Sequence, residues 1–92
     1  MEFKGSKSPW KYNSNITGDV DDSTGAMVAC VYPIYDENAE EMKANAHLIA
    51  AAPDLLQVLQ LIVSYHDDGN RDLHREDLEM ARKAIAKALG QQ

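Results

Sequence analysis

The side chains able to do chemistry in this chain are its acids, three histidines and one cysteine, and their spacing decides whether they could build a reaction centre. Asp19-Val20-Asp21-Asp22-Ser23-Thr24-Gly25 begins like a calcium loop, in which closely spaced carboxylates wrap a cation. The match stops early. Glycine arrives one place late, and the twelfth position is Cys30 where a bidentate glutamate is needed. His47, His66 and His74 share no zinc-motif spacing and have only Cys30 to join them, so they read as surface or partly buried side chains. Neither a glycine-rich phosphate loop nor a nucleophile elbow occurs. The expectation is a protein without catalytic residues, metal or cofactor.

Charge offers more. The net charge is −6, and it is unevenly placed. Residues 1–12 carry +2, residues 13–42 carry −7 with no basic residue, residues 43–69 carry −2, and residues 70–92 carry +1. Asp19, Asp21, Asp22, Asp36, Glu37, Glu40 and Glu41 form the acidic block, which could imitate the phosphates of a nucleic acid toward a basic groove. Acids at a helix start and in turns are also favoured by the helix dipole and by solvation alone. Lys4, Lys7 and Lys11 near the start, and Arg82, Lys83 and Lys87 near the end, are the candidate contacts to RNA or DNA phosphates.

These residues need elements to hold them. From Trp10 the pattern alternates, with Trp10, Tyr12, Ser14 and Ile16 on one face of an extended segment. A second short strand is predicted within Ile16 to Asp21, with Gly18 as a bend, and Asp22 to Gly25 is a turn by composition. Ala26 to Tyr32 is the most apolar strand and is expected to lie buried, ending at Pro33, which has no ladder donor. Asn38 and Glu41 are spaced as a capping box for a first helix. Pro53 must end or bend that helix and suits the first turn of the next, where Asp54 complements the dipole.

The second helix, Pro53 to His66, has a polar stripe of Gln57, Gln60, Ser64 and Asp67 and is otherwise apolar, so it is predicted to be the buried central helix. Leu78, Ala81, Ile85 and Leu89 recur at helical spacing along a third helix, from about residue 73 to residue 89, which Gly90 should stop. The reading is one α+β domain over residues 1–92. A flexible arm (1–8) precedes a β region (9–35) of two to three antiparallel strands, and a helical region (38–89) packs three helices against that sheet. No apolar run approaches the roughly 20 residues of a membrane span. The N-terminus has no signal-peptide core, so the expected location is the cytoplasm of the cell that makes the protein, and the single Cys30 reads as a buried thiol.

The stretch Asn45-Ala46-His47-Leu48-Ile49-Ala50-Ala51-Ala52-Pro53-Asp54-Leu55-Leu56 resembles the N-A-x-L-I-A-A-A-P-x-L-L signature of many small bacteriophage and prophage accessory proteins. The resemblance covers roughly residues 8–63 and implies phage origin and a β-then-α order. It implies no common biochemical activity. Small phage accessory proteins often act on host machinery, and the expected function is a counter-defence protein resembling the anti-CRISPR class. Such a protein would bind a host CRISPR-Cas or other defence nucleoprotein complex stoichiometrically and block target recruitment through the acidic block. One alternative is a phage structural or regulatory self-association module using Val58, Leu61 and Tyr65, with no defence target; a further one is a small metal- or nucleotide-dependent hydrolase.

Overall fold

The computed structural model describes residues 3–13, 18–31, 39–67, 69 and 75–91. Three short strands, β1 (Lys11–Asn13), β2 (Asp19–Asp21) and β3 (Met27–Cys30), precede three helices, α1 (Ala39–Ala50), α2 (Ala52–Asp67) and α3 (Arg75–Ala88). The strands form one antiparallel sheet in the order β1-β2-β3, with Tyr12 opposite Val20 and Val20 opposite Ala29. This is the α+β arrangement expected from the alternation of Trp10 and Tyr12, the Asp22 turn and the helical spacings downstream.

Local chemistry explains the joints. At the β2–β3 turn, Asp22 Oδ1 accepts from the Thr24 hydroxyl (2.6 Å) and from the backbone N–H groups of Thr24 (2.9 Å) and Ala26 (3.0 Å). Gly25 supplies the left-handed residue there at φ 91°. The chain between α1 and α2 bends by 44°, and Pro53, second in α2, cannot donate to the ladder at that point. α3 ends in a Schellman arrangement: Gly90 N–H donates to Lys87 O (3.0 Å) and Gln91 N–H to Ala86 O (2.8 Å), with Gly90 at φ 71°. A side chain at Gly90 would also strike the His47 ring, 2.9 Å from where its Cβ would sit.

The tightest core lies between the sheet and α1. Val20, Ala46 and Ala50 are at most 1% exposed, and Trp10, Tyr12, Ala29, Val31 and Ile49 close around them. The alanines let α1 approach β1 and β2 closely, and the His47 ring stacks on Tyr12 with centroids 4.4 Å apart. The N-terminal segment, expected as a flexible arm, is laid against this unit where it is described. Trp10 Nε1–H donates to Ser6 O (3.1 Å), Ser23 N–H donates to Lys7 O (3.1 Å), and Phe3 meets Trp10 edge to face.

Three expectations of burial are corrected. β3 is an edge strand, so Met27 is exposed and Val28 to Cys30 are only half-buried; the Cys30 thiol is not enclosed. Its apolar run ends the sheet, with β2 beside it on one side and no described strand on the other. The second correction is α2, in which only Pro53 and Val58 are buried. Among the described elements, α3 packs along it and α1 makes few contacts with it, so much of its apolar girth meets no described neighbour. The third concerns Val58, Leu61 and Tyr65, read as the self-association face: Val58 is buried, and Leu61 and Tyr65 are half-buried on the row that faces α3. The molecule is consequently long, 49 × 24 × 19 Å, with a radius of gyration of 15.0 Å. A compact chain of this length would have about 12 Å.

Candidate functional site

The sequence-predicted acids do not share one state. Asp19 is 7% exposed; its place in β2, the central strand, accounts for that. Asp21 accepts from Asn13 Nδ2 (3.1 Å) across the β1–β2 pair. Asp22 is occupied by its turn, and the Thr24 hydroxyl bond, reinforced by the Thr24, Ala26 and Gly25 backbone groups, holds its carboxyl below the usual 3.8. Glu40 and Glu41 stand exposed in the first turn of α1, where Glu40 lies 3.7 Å from Lys43. Asp36 and Glu37 lie outside the described residues, as do His74 and the Asn38 cap.

The basic candidates divide as well. Lys4, Lys7, Lys11, Arg82 and Lys83 are exposed, whereas Lys87 is half-buried and its Nζ lies 2.9 Å from Asp54 Oδ2. That pair ties the end of α3 to the start of α2. Folding nevertheless brings Lys11 and Lys87 to one cleft of about 480 Å³, lined also by Trp10, Tyr12, His47 and Gly90. Among the described residues no three His, Cys, Asp or Glu side chains converge as a metal site would require.

A larger feature was hidden in α2 and α3. The two helices are antiparallel, because Asp54 at the start of α2 meets Lys87 at the end of α3, and Tyr65 near the end of α2 hydrogen-bonds Asp77 near the start of α3. That hydrogen bond, followed by partial burial and by the charges of Asp77 and Glu76, raises the Tyr65 hydroxyl above its ordinary 10.0. Val58 and Ala84 are buried at the centre of the contact.

Helix geometry then sorts every other side chain. One residue forward is about a quarter turn in a fixed sense. Leu59 follows Val58 and Ile85 follows Ala84, and because the facing helices run oppositely, the same sense of rotation carries both to the same side of the pair. Leu56 and Val63 join Leu59, and Leu78 and Leu89 join Ile85, at helical spacing. All six are between 38% and 64% exposed. On the opposite side stand Gln57, Gln60, Ser64, Glu76, Glu79 and Lys83; Gln57 and Lys83 line a shallow groove there with Asp54 and Met80. The α2–α3 hairpin is a two-helix layer with one polar face and one largely apolar face, on which Arg82, between Leu78 and Ile85, and His66, three residues after Val63, also stand.

Leu48, 54% exposed at the end of α1, lies on the flank away from Ala46 and Ala50, which face the sheet. The hairpin's apolar face was partly visible in the sequence, since the polar stripe Gln57-Gln60-Ser64 fixed one side of α2. Nothing local indicated that the other side would stay uncovered.

No single helix is long and apolar enough to cross a membrane, although α1 and α2 together pass by length and composition as a bent pair. No curated protein and no solved structure matches the chain. The family profile described as Salmonella phage P22 protein Y8K6 matches residues 1–92, its whole length. A small phage protein of α+β fold, presenting a long amphipathic helical hairpin, is therefore what the sequence encodes, and the chain belongs to the Salmonella phage P22 protein Y8K6 family.

Proposed function

We infer that this phage protein acts by stoichiometric association with other macromolecules, not by catalysis. The observation that carries this reading is the apolar face of the α2–α3 hairpin. Monomeric proteins seldom leave a contiguous apolar patch beyond roughly 300–600 Å² without using it, and Leu56, Leu59, Val63, Leu78, Ile85 and Leu89 make such a patch on one side of a single layer. Its polar opposite face keeps the helices soluble while the apolar one is the natural docking surface.

The target class is a second step. A host CRISPR-Cas or other defence nucleoprotein complex, whose basic nucleic-acid groove would accept acids, is the counter-defence reading. What supports it is the exposed pair Glu40 and Glu41 at the tip of α1, together with the family's phage origin. Asp36 and Glu37 precede them in sequence. In this role the hairpin would hold the protein in place and the acids would occupy the groove.

The test is quantitative capture of proteins from a nuclease-treated lysate of the bacterial host, using the tagged full chain and two variants. Glu40→Gln with Glu41→Gln should release a captured nucleoprotein complex if the acids occupy its groove. Leu59→Glu with Ile85→Glu should release whatever the hairpin holds. Capture of the same partners in equal amounts by all three proteins would sink both the surface assignment and the counter-defence role.

A further inference from the structure

We propose that the hairpin's apolar face docks on the same face of a second copy of this chain, closing an isologous four-helix bundle. The inference rests on the association reading above and names its first partner. Area is the first argument. The six side chains, each roughly half-exposed, offer on the order of 600 Å² of largely apolar surface, and a standard interface needs about 800 Å² from each partner. The polar rim of the hairpin supplies the remainder.

Register is the second argument. The ties between Asp54 and Lys87 and between Tyr65 and Asp77 set α2 and α3 level with one another. At the 1.5 Å rise of a helix, Val63 then stands level with Leu78, Leu56 with Ile85, and Asp67 with Arg75. A two-fold axis parallel to the helices and lying in the interface keeps these levels while exchanging the sides. It lays α2 of one copy antiparallel on α3 of the other, the geometry of a bundle packed at about 20°. Val63 then meets Leu78 of the partner subunit, and Leu56 meets Ile85 of the partner subunit. Large apolar side chains thus oppose one another along the seam, with Arg82 at its outer edge on α3, the angular position Leu56 holds on α2, and His66 near its end on α2.

Charge is the third argument, and it selects this axis over the other. Asp67 ends α2 and Arg75 opens α3; both are exposed, and helical spacing puts each on the outer edge of its helix. Under the axis parallel to the helices, Asp67 comes beside Arg75 of the partner subunit, and the symmetry makes the pair twice. An axis across the helices would stack α2 on α2 and leave both residues without an opposite charge. Rim pairs of this kind add little affinity but fix orientation.

The experiment is sedimentation equilibrium of the full chain over a wide concentration range. The expected result is a dimer of twice the 10.2 kDa chain mass, reverting to monomer in Leu59→Glu with Ile85→Glu while the circular dichroism is unchanged. Asp67→Arg should weaken the dimer by about tenfold by setting like charges together, and adding Arg75→Asp should restore it. This exchange touches only exposed residues, so it reads the arrangement even where the apolar variants fold poorly. A chain that stays monomeric up to about 1 mM overturns the proposal, as does a dimer indifferent to the hairpin variants. A monomer whose capture of host proteins is still lost on Leu59→Glu with Ile85→Glu overturns the self-docking alone and leaves the association reading standing.

Discussion

The two halves of this molecule bury their apolar residues to different extents. Between the sheet and α1, Val20, Ala46 and Ala50 are sealed by residues from three strands and a helix. In the α2–α3 hairpin, which holds more large aliphatic side chains, only Pro53, Val58 and Ala84 are buried. The difference lies in the number of available neighbours, not in hydrophobicity. α1 sits between the sheet and α3, whereas α2 has α3 along one side and α1 only at its start. A helix can be apolar around most of its girth and still keep half of that surface exposed, if only one described neighbour packs along it. Burial follows from contacts made, and among the described residues these are fewest at the hairpin.

The strongest way to sharpen the contrast is to create a void in the sealed half. Val20→Ala should cost roughly 2–3 kcal/mol, because Val20 is fully enclosed and its neighbours can collapse only in part. In thermal melts that corresponds to a fall of roughly 10–20 °C. A loss below about 0.5 kcal/mol, the range of ordinary surface substitutions, would show that the sheet–α1 unit is as loose as the hairpin.

The next effect is smaller and lies at the hairpin's inner seam. Lys87→Met removes the 2.9 Å partner of the partly buried Asp54, and about 1 kcal/mol of stability should go with it, more at low salt than at high salt. Denaturant unfolding at two ionic strengths measures it, and a salt-independent result would deny the pair an electrostatic role. On the hairpin's outer face the expectation is near zero. Leu59→Glu studied at concentrations where the chain is monomeric should change stability by less than about 0.5 kcal/mol. A large loss there would mean that Leu59 is covered within one chain, which would erase the contrast.

The smallest predicted change is confined to one turn. The Asp22 carboxyl titrates below its ordinary 3.8 because its charged form accepts from Thr24 and Ala26. A depressed acid contributes stability that is fully present above the unfolded value and is lost as pH falls through the folded one. Acidification below about pH 3.8 should therefore loosen the β2–β3 turn, seen as shifts of the Thr24 and Ala26 amide resonances, and Asp22→Asn should abolish that pH response while leaving α2 and α3 unaffected. Amide shifts spread evenly over the helices would instead place the acid-sensitive carboxylates elsewhere.

Some features of this protein follow from the sequence alone, because a single residue's covalent chemistry dictates them. Pro53 lacks a donor and so bends the chain between α1 and α2. Gly25 and Gly90 tolerate positive φ and so mark a turn and a helix end. Alternation around Trp10 and Tyr12, followed by helical spacing from Met42 onward, sets the β-then-α order. These signals are local and survive in any tertiary context.

Tertiary structure decided everything that depends on a neighbour distant in sequence. It buried Asp19 in the central strand and paired Lys87 with Asp54. It also separated Val58 from Leu59, adjacent apolar residues on the same helix, into a core position and an exposed one. Spacing shows which side chains share a face, but only the packed chain shows which face meets a partner, because burial is a property of pairs of surfaces and a sequence specifies them one at a time.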